Sequence, residues 1–422
     1  MTGPVAILCP VNQGWAQFAG LTATGVIDCI DITTQADKLQ QGTWFVVIDF
    51  EASIEPLGQN PAGQQESGHG PASHRADGHH VDGHHCDGQT AQQPRARARA
   101  WRFAHVGPSP SLPGLEESWR GPEADTWTSS LDQGQYMSAV RTTREAIRQG
   151  QVYQANICRV MSAPLTAQDA GGEPHAAALA AVLAAGNPAP YAAAIHVPAS
   201  PSPISPVWVV SASPELYLSR EADTVTSAPI KGTAPTAELM ADKDHAENLM
   251  ITDLVRNDLQ RVCQPGTVDV TGLCRLEQHP GLVHLVSYVH GTLLPQLASS
   301  PHLWQEFLAA TFPPGSVSGA PKASALDLIG QLETQDRGPY CGAIGWINGD
   351  TGQAQLAVGI RTFWWERDRL HFGTGAGITW GSDPAGEWEE TQLKARRLIS
   401  LASRPAASPV PEIHGGGLVS EA

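Results

Sequence analysis

Short apolar runs and polar breaks alternate along most of the chain. Trp44-Phe45-Val46-Val47-Ile48-Asp49-Phe50 reads as a strand with an apolar flank. Tyr136, Val140 and Ile147 recur at near-helical spacing, and Gly150 stops that helix. Residues 152–160 are strand-like, 173–186 helical, and 206–220 carry two strand runs around Ser213-Pro214. A helix over 246–259 is entered by Asp242 and Asp244, whose charge suits its positive end. Further on, the pattern predicts helices near 302–310 and 323–332 around a Pro-Gly loop at 313–321. Strands at 341–347, 355–364 and 369–373 precede a last helix over 387–402. Strands and helices mix without a regular β-α-β beat, so the expected class is a large α+β unit rather than a doubly wound sheet.

One stretch breaks the pattern. Residues 59–100 are rich in Gly, His, Gln, Asp, Pro and Arg and hold a near-repeat, Asp77-Gly78-His79-His80-Val81 and Asp82-Gly83-His84-His85-Cys86. Too little apolar surface is present to offset its ordering entropy, so a disordered insertion is expected. Its histidines could bind a borderline metal, but a tolerated surface insertion is the plainer reading. The expected organisation is therefore 1–58 as the N-terminal part of the fold and 59–100 as insertion. Residues 101–130 follow as linker, 131–402 as catalytic domain and 403–422 as flexible tail.

Composition narrows the partners. The 422 residues carry a formal charge of −16, which argues against nucleic acid, because phosphate binding needs clustered Lys and Arg. The Ala-rich run at 176–185 is too short to span a bilayer, and the first sixteen residues carry no signal-peptide pattern. The seven cysteines form no C-x-x-C pair and read as free thiols of a cytoplasmic protein.

Several side chains could carry chemistry. Glu247 precedes Met250, Ile251 and Leu254 at i+3, i+4 and i+7, so it projects from an apolar helix face. A carboxylate there needs a metal or a cation such as Arg256. Glu390 stands one turn before Lys394, the usual arrangement of a solvated surface pair. Carboxylates from distant helices would suit Mg²⁺. Lys231, between Pro229-Ile230 and Gly232, is either a buried amine with a lowered pKa or a structural salt-bridge lysine. Glu215 is a general acid or base, or a turn cap, and His284 alternates with apolar residues as a core histidine would. Gly373-Thr374-Gly375-Ala376-Gly377 lacks the full dinucleotide fingerprint and could instead nest a carboxylate, for which Arg361 offers a clamp.

From residue 131 to 402 the chain also resembles the chorismate-utilising enzymes. The ordered matches include Gly150-Gln151-Val152-Tyr153-Gln154-Ala155-Asn156, Ser213-Pro214-Glu215 and Pro229-Ile230-Lys231-Gly232-Thr233. Phe312-Pro313-Pro314-Gly315-Ser316, Arg337-Gly338-Pro339-Tyr340 and Glu389-Glu390-Thr391-Gln392-Leu393-Lys394 continue them. The resemblance implies two α/β subdomains with facing antiparallel sheets and a site between them. It implies Glu247 and Glu390 as Mg²⁺ ligands. Thr233, Tyr340, Arg361, Gly375, Ala376, Gly377 and Lys394 would hold chorismate, with His284 beside the ring. Gln154 stands where water-using relatives carry a lysine, which points to ammonia as the incoming group. Lys231 stands where anthranilate synthases carry alanine. It implies the aminodeoxychorismate synthase branch, with Lys231 as nucleophile, Glu215 as acid, and a glutamine amidotransferase subunit supplying ammonia for a precursor of para-aminobenzoate and folate; anthranilate synthase component I is the alternative, which this lysine disfavours. Gln151, where the family's aspartate is usual, and Thr236, where an arginine is common, depart from the family pattern.

Overall fold

The computed structural model describes residues 14–56, 96–108, 118–166, 172–199, 204–234, 236–240, 242–279 and 282–404. In chain order its strands are β1 Trp15–Phe18, β2 Leu21–Asp31, β3 Thr43–Ile48, β4 Ala98–Pro108, β5 Thr128–Ser129, β6 Gln154–Pro164, β7 Tyr191–Val197, β8 Val207–Ser213 and β9 Leu216–Glu221. They continue with β10 Thr224–Ala228, β11 Ile230–Ala234, β12 Asp269–His279, β13 Leu282–Thr292, β14 Gly319–Ala320, β15 Ala343–Asn348, β16 Gln353–Val358, β17 Thr362–Glu366 and β18 Arg369–Ile378. The helices are α1 Ile32–Gln35, α2 Gln133–Arg148, α3 Ala176–Gly186, α4 Asp242–Gln260, α5 Pro295–Ala298, α6 Leu303–Thr311, α7 Lys322–Leu332 and α8 Pro384–Ala402.

Every ladder is antiparallel. Starting from β6, the pairings run β18, β17, β8, β7, β1, β2, β4, β3, β15, β16, β9, β10, β13 and β12. β11 pairs with β13 beyond β10, and β5 and β14 pair with β6. Two chain crossings then close the middle of this ladder on itself. The segment after β8 leads into β9, the segment after β16 leads into β17, and the two run side by side. Ser213 Oγ donates to the Val358 carbonyl at 2.6 Å, and the Ala212 N–H donates to the Arg361 carbonyl at 3.0 Å. The closed part surrounds a core of Phe18, Val26, Phe45, Trp101, Ile195, Val209 and Ile344. Two arms extend from it, β17–β18–β6 and β9–β10–β13–β12, with β11 on the second.

Local chemistry explains the helices that cover the arms. Asp132 accepts from the Gln135 N–H and Gln135 Oε1 accepts from the Asp132 N–H, a reciprocal cap that starts α2. Tyr136, Ala139, Val140, Thr143 and Ala146 form its buried stripe. Asp383 caps α8 through the Gly386 N–H, and Pro384 fills the first turn. α3 and α8 pack on β7, β8 and β18 around Leu179, Leu183, Phe372 and Leu398.

Three expectations change. Residues 98–100, expected within the insertion, and 101–108, expected as linker, form β4, which pairs along β2 and β3 inside the closed ladder. The expected strand over 355–364 is two strands, because Arg361 takes a left-handed backbone (φ 52°) at the crossing. The glycine run at 373–377 is not a nest but extended strand, paired with β6 from Gly373–Val160 to Gly377–Asn156. Its glycines serve close approach: a Cβ on Gly373 would lie 2.0 Å from the Tyr340 ring. Most of the expected insertion, residues 59–95, lies outside the described residues, as does most of the expected tail, 405–422. Among the described residues no helix is long and apolar enough to cross a membrane.

Candidate active site

The crossing and the two arms bring their polar groups to one place. Glu215 and Arg361 sit on the adjacent crossings. Glu215 is 3 % exposed, and its carboxyl accepts hydrogen bonds from the Ser316 hydroxyl and the Ile230 N–H. Burial pushes this carboxyl up, against those bonds and the charges of Lys231 and Arg361. Glu215 and Ser316 also line a cavity between α4 and α6, whose walls include Val255, Leu259 and Phe307.

Lys231 projects from β11, and its Nζ donates to the Ser316 carbonyl at 2.8 Å. Burial lowers its pKa, while Glu247 and Glu215 act in the opposite sense. Ser316 therefore ties the amine by its carbonyl and the Glu215 acid by its hydroxyl. From the other arm, Gly377 brings its backbone close to both Lys231 and Gln154. A Cβ there would stand 2.3 Å from Gln154 Nε2 and 3.7 Å from Lys231 Nζ. Gln154 is buried, and its Oε1 has no hydrogen-bond partner.

A carboxylate cluster closes the cleft. Glu247 comes from α4, and Glu387 and Glu390 come from successive turns of α8. Burial raises Glu247, opposed by Lys231 and Lys243 and reinforced by Glu390 and Glu387. Arg256, the alternative partner for Glu247, bonds Asp253 at 2.8 Å. Lys243 instead lies 3.5 Å from Glu247 and 3.2 Å from Glu387. Burial would also raise Glu390, but Lys394 at 2.6 Å overcomes this and holds the carboxyl below its usual range. Lys394 donates in addition to the Gly375 carbonyl at 3.0 Å, joining α8 to β18.

This donor set fits Mg²⁺. Its oxygens are hard carboxylates, and Glu387, only 4 % exposed, has an Oε2 with no hydrogen-bond partner. Among the described residues no group of three or more His, Cys, Asp or Glu side chains is gathered closely enough to hold a metal ion by itself. Mg²⁺ asks for fewer protein ligands, completed by water and substrate oxygens.

The remaining expected residues lie deeper. Tyr340 is buried with its ring against Gly373 and its hydroxyl 3.9 Å from Cys158 Sγ. His284 is buried on β13, paired in register with Thr233 of β11 and Glu277 of β12. Thr233 stands opposite His284 in that backbone pairing. Sequence reasoning overlooked Glu387, Lys243 and Ser316. Glu387 precedes Glu390 by three residues and Lys243 precedes Glu247 by four, so helical spacing alone could have added both to the cluster.

The profile of the chorismate binding enzymes matches residues 14–400. Anthranilate synthase component 1 1 of Haloarcula marismortui is 34% identical over 300 residues, covering 68% of this chain and 57% of that protein. Anthranilate synthase component 1 of Streptomyces coelicolor is 36% identical over 294 residues, covering 67% and 54%. The chain thus spans little more than half the length of these curated relatives. The crystal structure of anthranilate synthase component I from Streptococcus pneumoniae has a TM-score of 0.56 at 31% identity, over 69% of this chain and 62% of that one. A putative 2,3-dihydroxybenzoate-specific isochorismate synthase from Bacillus anthracis covers more, 92% and 96%, with a TM-score of 0.66 at 20% identity, and shows the fold alone. These relatives overturn the aminodeoxychorismate synthase assignment drawn from Lys231. Identity over some three hundred residues outweighs the character of one position.

Proposed function

The chain belongs to the chorismate-binding enzymes, and from that premise we propose that it is the ammonia-using component of an anthranilate-forming synthase. The observation that carries this reading is the identity of about one third to proteins named anthranilate synthase component 1. The reaction balances as chorismate plus ammonia giving anthranilate, pyruvate and water. It needs an acid for the departing ring hydroxyl, cations for two substrate carboxylates, and a way to bring ammonia rather than water.

Glu215 fills the first need. Burial keeps its proton to higher pH than an ordinary carboxyl, so it can donate to the leaving hydroxyl. Arg361 and Lys394 fill the second as fixed cations beside the cleft. Glu247 and Glu390, with Glu387, would hold Mg²⁺, which when bound supplies positive charge for a substrate carboxylate. Lys231 positions Ser316 and, through it, Glu215. That role does not demand an amine nucleophile. His284 and Tyr340 form walls, and Gly377 leaves room for Gln154 and substrate.

Ammonia requires a source, because most of it is protonated at neutral pH. None of the chain's cysteines lies in a Gly-x-Cys-x-Gly segment, so a glutamine amidotransferase subunit is the proposed partner. The test is to incubate the pure chain with chorismate, Mg²⁺ and an ammonium salt at alkaline pH. Anthranilate and pyruvate in equal amounts are expected. An aminated product that keeps the enolpyruvyl group would overturn the reading.

A further inference from the structure

We propose that Lys243 is a built-in counter-cation of the Glu247–Glu387–Glu390 cluster, and that a divalent cation enters this cluster by displacing its ammonium. The inference rests on the metal site proposed above and adds what the site contains before the metal arrives.

Three carboxylates on two helices cannot share a cleft without a counter-charge. Two lysines supply it in different ways. Lys394 is anchored twice, by Glu390 at 2.6 Å and by the Gly375 carbonyl at 3.0 Å. It can keep a place when the cluster changes charge. Among the described residues Lys243 contacts only carboxylates, Glu387 at 3.2 Å and Glu247 at 3.5 Å, and its side chain is 48 % exposed. Neither distance is that of a tight ion pair, and the long stem can swing into water. Lys243 also leaves the cluster incompletely satisfied. Glu387 gives one oxygen to Lys243 while Oε2, buried, bonds to nothing. One ammonium stretched between two helices is thus a poor substitute for an ion of double charge placed between the same oxygens. Metal entry would satisfy the orphan oxygen and repel the ammonium outward, so the two cations exclude each other.

The test uses the substrate-free full chain and Mn²⁺ as the probe, titrated by calorimetry. Removing the competing charge in Lys243→Gln should tighten Mn²⁺ binding by about five-fold, the worth of one unit charge near 4 Å in water. Equal or weaker binding by a folded Lys243→Gln chain overturns the exchange while leaving the metal site standing. Failure of both wild type and variant to take up Mn²⁺ overturns the metal site and the exchange together. A second measurement needs no variant. Mass-spectrometric footprinting with an acylating reagent should show Lys243 becoming more reactive when Mn²⁺ is added, with Lys394 changing less. Unchanged Lys243 reactivity at saturating Mn²⁺ would also sink the proposal.

Discussion

Lys231 Nζ donates to the carbonyl of Ser316 at 2.8 Å, and the Ser316 hydroxyl reaches Glu215. The lysine therefore acts at one remove from the acid. Lys231→Ala should retain ammonia-dependent anthranilate formation, with kcat lowered and the KM for chorismate little changed. Complete loss of amination in a folded Lys231→Ala protein would show that the amine itself reacts.

Glu215→Gln should abolish turnover while preserving chorismate binding, because the amide keeps the shape but not the acidic proton. Stability should move the other way. A carboxyl whose pKa is raised in the folded state binds its proton more tightly there than in the unfolded chain. Wild-type stability therefore falls as pH rises from the unfolded value, near 4.3, through the raised folded value. Glu215→Gln should melt higher than wild type above that window, with the gain vanishing at more acidic pH. Melting curves across pH that show no such convergence would remove the burial argument.

The metal cluster predicts a shift in cation requirement. Glu247→Gln or Glu390→Gln should raise the Mg²⁺ concentration for half-maximal activity by at least about tenfold, since one of few protein ligands is lost. A Mg²⁺ titration of each variant at saturating chorismate checks this, and wild-type dependence in both would refute the ligand set.

Arg337 supports the floor of the site. It is 1 % exposed, makes a two-pronged bond to Glu333 at 2.8 and 2.6 Å, donates to the Val317 and Asn156 carbonyls, and stacks on Phe50. Arg337→Ala strands the Glu333 charge in the core and should cost about 3–5 kcal/mol. Denaturant unfolding reads the loss directly, and a cost below about 1 kcal/mol would mean that water or another cation reaches Glu333.

Gly373→Ala tests why the glycine run is glycine. The added carbon would meet Tyr340 Cγ at 2.0 Å, whereas at Gly381 nothing lies within 4 Å. Gly373→Ala should destabilise the fold by about 1–3 kcal/mol, and Gly381→Ala by far less. Equal melting temperatures for the two variants would contradict this packing.

Local signals made part of this molecule legible in advance. The helix of Tyr136, Val140 and Ile147 that stops at Gly150 appears as α2, and the predicted terminal helix as α8. The run of Trp44 to Ile48 appears as β3, buried from Trp44 onward. The Glu390–Lys394 pair is present as helical spacing requires, and burial of Lys231 lowers its pKa as anticipated. The single-residue inference from Lys231 to a branch of the family failed, because one side chain carries far less information than the rest of the matched chain.

By itself, then, the sequence determined several of the helices and strands, the chorismate-binding family and the candidate residues of the site. These depend on spacing within one element or on strings of adjacent residues. Only the tertiary structure decided that residues 98–108 complete a closed ladder, and that the chain breaks at Arg361 to cross between halves. It alone showed that the glycine run is a strand pressed against Tyr340, and that Glu387 joins Glu247 with Lys243 between them. Each of these joins residues tens to hundreds of positions apart. Such contacts are set by which strands pair and how the sheet curls, and no local window of sequence contains that information.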